Sequence, residues 1–140
     1  IAVIGHSRLG KTALWCAAQD ERIMMAIANN SGIFGAAVAK HSSGERIRDF
    51  LKAGSWDWFC EEMKVYDGLE DRAMPFDQHM VLAAIAPRYV AIGSAELDQG
   101  ADPFSEYLAC VAASESYRLL GKAGLVGAGG EQGHSDSPGP

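Results

Sequence analysis

The chain has 140 residues, 48% of them apolar, with a formal charge of −6 and a pI near 5.1. That is enough for one domain with a real core. The acidic balance excludes a nucleic-acid surface, which needs a basic face, and no window of 18 apolar residues is present to span a membrane.

Ile1 to Ile4 reads as a continuous apolar strand of the kind buried on both faces of a parallel sheet, with no basic region or cleavage site ahead of it. A helix follows from Lys11 to Gln19, and Asp20 and Glu21 end it. Ile23 to Ala28 is a second apolar run, so the order strand, helix, strand implies a right-handed parallel crossover. From Asn29 to Phe76 the pattern breaks into a turn at Asn29 to Gly32, an apolar run to Ala39, and a polar, basic and aromatic stretch from His41 to Trp58. An irregular excursion of this length is more often functional than idle. Asp77 to Ala86 reads as a helix stopped by Pro87, and Tyr89 to Ile92 as a third strand. Ser94 to Asp102 is an acidic loop, and Pro103 stands at the first turn of a helix reaching about Leu120. Beyond Gly121 the composition turns to glycine, serine and proline, with His134 inside. Cys16, Cys60 and Cys110 match no metal-ligand spacing, and their odd number leaves small buried thiols as the expectation.

The first dozen residues carry two incompatible chemistries. Gly5, Gly10, Lys11 and Thr12 fill the phosphate-loop template G-x-x-x-x-G-K-[ST], with Lys11 for the terminal phosphates and Thr12 for a magnesium ion. That reading wants an acidic residue closing another strand, and Tyr89 to Ile92 runs instead into Gly93, Ser94 and Ala95. The alternative places Ser7 on a strand-to-helix elbow as a nucleophile. The general form G-x-S-x-G misses, because Leu9 stands two residues after Ser7 and the glycine comes one place later.

The stretch from Gly5 to Lys11 resembles a narrower elbow, G-C-S-R-x-G-K, of the glucuronoyl esterases, a carbohydrate esterase family of α/β-hydrolase fold; His6 stands in place of the fungal cysteine. The likeness continues in order through Asp20-Glu21-Arg22, Ser31-Gly32 with Gly35-Ala36-Ala37, Gly44-Glu45, Trp58-Phe59-Cys60, Pro75 to Met80, Ala86-Pro87-Arg88 and Ala101-Asp102-Pro103. It implies the C-terminal part of an α/β hydrolase, a mostly parallel sheet flanked by helices whose early strands are missing. Residues 1–121 would be the partial catalytic domain, and residues 122–140 a tail of disorder-prone composition.

The resemblance assigns roles. Ser7 is the nucleophile, Arg8 stabilises the oxyanion, Lys11 binds sugar hydroxyls and Glu45 contacts the uronate ring. Fungal relatives place their acid where this chain has Asn30, so the acid is expected at Asp98, in the loop used by bacterial members, in preference to Glu96. The chain order Ser, Asp, His leaves His134 as the base. A tryptophan expected two residues after the acid is replaced by Gly100. Implied substrates are glucuronoxylan or lignin–carbohydrate esters of (4-O-methyl-)glucuronic acid. No metal or cofactor is implied, the full-length form is expected to be a monomer, and the location is secreted or periplasmic. The alternatives are an acetyl-xylan or other small-acyl esterase on the same fold, a phosphate-loop nucleotide-binding domain, and an inactive carbohydrate-binding remnant.

Overall fold

The computed structural model describes residues 1–52 and 59–126. His134, and with it the tail from residue 127, lies outside the described residues. The elements in order are β1 (Ala2–His6), α1 (Arg8–Gln19), β2 (Met25–Asn29), α2 (Ile47–Lys52), α3 (His79–Ile85), β3 (Tyr89–Gly93) and α4 (Pro103–Leu119). The three strands are parallel in the order β1-β2-β3, with Ala2 opposite Met25 and Met25 opposite Tyr89. This is the α/β arrangement expected from the sequence.

The register matters more than the strand count. His6 pairs with Asn29, and Asn29 with Gly93, so all three strands end in step. The next residues of each, Ser7, Asn30 and Ser94, therefore form a row along the C-terminal edge of the sheet. Adjacent strands lie about 4.8 Å apart, which brings three loops from distant parts of the chain within side-chain reach.

One face of the sheet carries the main core. Ala26 and Ala28 of β2 are fully buried against Leu14 and Ala17 of α1, Leu82 and Ile85 of α3, and Ala109 and Ala113 of α4. Val3, Val90 and Ile92 pack against the same cluster. Ile4 on β1 points the other way and is 75% exposed. Strand side chains alternate, and among the described residues the helices that pack into this core gather on the face of Ala26 and Ala28. A second cluster of Ile33, Ala39, Ile47, Leu51 and Met74 gives the excursion after β2 its own small core.

Two details depart from the sequence reading. The strand ladder runs on through Gly5 and His6, because β2 still offers partners at Ala28 and Asn29, and α1 then begins at once with Arg8. Cys16 and Cys60 are exposed and unpaired rather than buried. Cys110 is half-buried, and burial, helped by the nearby Glu106 charge, pushes its thiol up to about 11.

Candidate active site

The turn between β1 and α1 is a single residue, and it is strained. Ser7 has φ 55° and ψ −120°, a conformation that costs a non-glycine residue about 1–3 kcal/mol. Its neighbours explain how such a turn closes. A Cβ on Gly5 would lie 2.1 Å from the carbonyl oxygen of Leu9, and one on Gly10 would lie 3.1 Å from the Ser31 Cβ. Glycine at both positions lets the start of α1 fold back onto the strand. The Ser7 amide donates to the Asn29 carbonyl at 2.9 Å, which fastens the elbow to β2. The side chain makes no capping hydrogen bond to the helix, although serine is a favoured cap. The backbone thus holds Ser7 while its exposed hydroxyl stays out of the helix.

The same geometry removes the phosphate-loop reading. A phosphate cradle needs a loop of free amides between strand and helix, and here residues 8–10 are already helical. The Lys11 amide donates back to the Ser7 carbonyl, and the Thr12 hydroxyl donates to the Arg8 carbonyl at 3.2 Å. The Lys11 ammonium is spent elsewhere, on the Ser31 carbonyl and, at 2.6 Å, the Ile33 carbonyl.

Beside the elbow, Asn30 and Asp98 meet. Asn30, held at φ 44°, donates from Nδ2 to Asp98 Oδ2 at 2.8 Å, and its Oδ1 accepts the Ala95 amide at 2.8 Å. The other oxygen of Asp98 accepts the Ala101 amide at 3.2 Å. The amide at the fungal acid position and the expected acid are thus hydrogen-bonded neighbours, and of the two candidate acids it is Asp98, not Glu96, that Asn30 contacts.

Arg8 stands exposed on the first turn of α1, next to Ser7. Burial pulls the Lys11 ammonium below the usual lysine range and Arg8 repels it in the same sense, while Glu45 and Glu106 partly offset both. Among the described residues, two of its three N–H groups go to carbonyls, leaving one for another acceptor. Glu45 is exposed, and its amide donates to the Gly100 carbonyl at 3.1 Å. A Cβ on Gly100 would lie 3.5 Å from Asp98 Oδ1 and 4.0 Å from Glu45 Oε1, so the position near the two carboxylates accepts a Cβ without a clash. Arg8, Lys11 and Trp15 form one wall of a cavity of about 640 Å³ whose other walls are largely aromatic. Phe34 and Phe59 meet there with ring centroids 5.0 Å apart.

Expected residues on the described part of the chain therefore gather at one edge of the sheet: Ser7, Arg8 and Lys11 from the elbow, Asp98 and Glu45 from the loops. His134 lies outside the described residues. His6 is exposed, with its Nδ1 2.8 Å from the Asn29 side-chain nitrogen.

Several residues that shape this edge were not singled out from the sequence. Asp102 caps α4 from a left-handed conformation, accepting the Ser105 amide at 3.1 Å and the Ser43 amide at 2.6 Å, and so pins the Glu45 loop. Buried Asp77 accepts the Ala39 amide at 2.7 Å and fastens the excursion. Glu106 is wholly buried within α4. Its signal was available: three and seven residues before Ala109 and Ala113, it falls on the helix's inward stripe.

Comparison with known proteins gives the family of the chain. The family model described as "Glucuronyl esterase, fungi" matches residues 1–121. Carbohydrate esterase MZ0003, from an unknown prokaryotic organism, is 46% identical over 125 residues, covering 89% of this chain and 28% of that protein. The 4-O-methyl-glucuronoyl methylesterase of Hypocrea jecorina is 30% identical over 139 residues, covering 91% of this chain and 28% of its own length. Among solved structures, a promiscuous CE15 esterase from a marine bacterial metagenome superposes with a TM-score of 0.83 at 46% identity, over 90% of this chain and 31% of the other. The chain thus spans less than a third of each relative.

Proposed function

The chain belongs to the glucuronyl esterase family, and from that membership we propose that the whole protein is a serine carboxylic-ester hydrolase. Its substrates are esters joining (4-O-methyl-)glucuronic acid on xylan to lignin alcohols. One observation carries the reading: a strained single-residue elbow presents the Ser7 hydroxyl beside the hydrogen-bonded Asn30–Asp98 pair.

In the proposed reaction His134 takes the Ser7 proton as Oγ attacks the uronate carbonyl, and Asp98 orients and stabilises the imidazolium. Arg8 holds the negative oxygen of the tetrahedral intermediate. Collapse breaks the bond to the alcohol, which leaves with the proton from His134. Water, deprotonated by the same imidazole, then releases the uronate and restores Ser7. Lys11, through its remaining N–H, and the Glu45 carboxylate bind the sugar in this proposal. The aromatic cavity beside Arg8 suits an aromatic alcohol, which supports a lignin leaving group. The working form is a secreted or periplasmic monomer.

The test uses the full-length protein. Methyl 4-O-methyl-glucuronate should be hydrolysed, and Ser7→Ala should abolish this. Release of acetate from acetylated xylan with no action on the uronate ester would replace the proposal with a small-acyl esterase. Sugar binding without turnover of either substrate would indicate a non-catalytic remnant.

A further inference from the structure

We propose that Glu106 is a positioning residue: from within α4, its carboxylate ties the loop after β2 to the loop after β3 and thereby fixes Asp98. The inference rests on the reading of Asp98 as the acid of the proposed triad.

Glu106 is 0% exposed, a costly place for a carboxyl group unless its oxygens are used. They are. Oε1 accepts the Ser31 hydroxyl at 2.9 Å and the Gly32 amide at 2.8 Å, both from the loop after β2. Oε2 bonds the hydroxyl of Ser94, the first residue after β3. Ser31 Oγ itself accepts the Ala36 amide at 2.9 Å, so its one proton is committed to Glu106. Capping does not require this side chain, since Asp102 already accepts the Ser105 amide at the start of α4. Nor does core filling, because the rest of that stripe is Ala109 and Ala113.

What the bonds select is the position of two neighbours. Ser31 follows Asn30, and Ser94 precedes Ala95; Asn30 in turn bonds both Ala95 and Asp98. Glu106 therefore grips the residues on either side of the contact that holds the acid. Lys11 draws the carbonyls of Ser31 and Ile33 from the opposite side, so the turn at residues 31–33 sits between an ammonium from α1 and a carboxyl group from α4. Elbow and acid loop are thereby referenced to one turn.

The test uses the full-length enzyme with two variants, Glu106→Gln, which keeps the shape, and Ser94→Ala, which removes only a surface hydroxyl. Loss of one such hydrogen bond should lower kcat about 5-fold with KM unchanged, and Ser94→Thr should restore it. In an Asp98→Ala background Ser94→Ala should cost nothing further, because its effect passes through Asp98. A crystal structure of the Ser94→Ala variant should show the Asn30–Asp98 contact opened. A contact still at hydrogen-bonding distance, or a kcat loss that multiplies with that of Asp98→Ala, overturns the inference. The crystallographic distance decides the matter even for a parent that cleaves no uronate ester, a result that would sink the proposed function alone.

Discussion

At the scale of single residues, the candidate site was legible where chemistry and backbone demand coincide. Ser7 and Arg8 stand out because a strand must turn into a helix between two glycines, and the structure gives each glycine its steric reason. Arg8→Ala should lower kcat on the uronate ester about 10²–10³-fold while leaving KM nearly unchanged, as loss of one oxyanion partner does; steady-state kinetics on the full-length enzyme check this. Spacing places Glu106 on the inward stripe of its helix, but what Asp102 and Glu106 hold was not legible, because their partners lie up to 75 positions away in the chain. Asp102 makes a separate, pH-dependent prediction. Burial pushes its carboxyl up, but hydrogen bonds from Ser105, Ser43 and Gly44 outweigh this and hold it at about 2, below the ordinary 3.8. A depressed folded value means that the folded state binds protons less readily than the unfolded state. The stabilisation is thus complete above about pH 4 and is lost as pH falls towards 2. Asp102→Asn should cost about 2 kcal/mol at pH 7 and little near pH 2, measured by denaturant titration at the two pH values.

At the scale of elements, all three strands and the helices α1, α3 and α4 were foreseen in order, while their ends moved by a few residues. Apolar runs mark where a strand is buried, whereas hydrogen bonds to its neighbour mark where it stops. Hence β1 extends through Gly5 and His6, which no hydrophobic pattern announces. The start of α1 at Arg8 follows from the same tight closure, and it removes the loop that a nucleotide would need. The glycine at position 5 is the element-level hinge of the account. Gly5→Ala would set a Cβ 2.1 Å from the Leu9 carbonyl oxygen, a clash that neither a rotamer nor a small shift relieves. We expect at least about 3 kcal/mol of destabilisation together with loss of ester hydrolysis, read from thermal melts and activity of the full-length variant. A variant as stable as the parent would show that the elbow is looser than described.

At the scale of the whole molecule, the parallel sheet was readable, but which of its faces carries α1, α3 and α4 was not. Sequence tells that Ile1 to Ile4 is apolar; only packing tells which face meets the helices. With Ile1, Ile4 and Tyr89 each at least 70% exposed, the polypeptide of residues 1–140 expressed by itself should bind a hydrophobic dye and aggregate. Light scattering and dye fluorescence against concentration check this, and a monomeric, non-binding product would contradict it. The central claim remains the role of Ser7. Treating a full-length preparation that has been assayed to cleave the uronate ester with a fluorophosphonate and mapping the adduct by mass spectrometry tests it most directly. The account predicts stoichiometric modification of Ser7, parallel loss of activity and no labelling after Ser7→Ala; an active enzyme whose adduct falls on another residue, or nowhere, would contradict it.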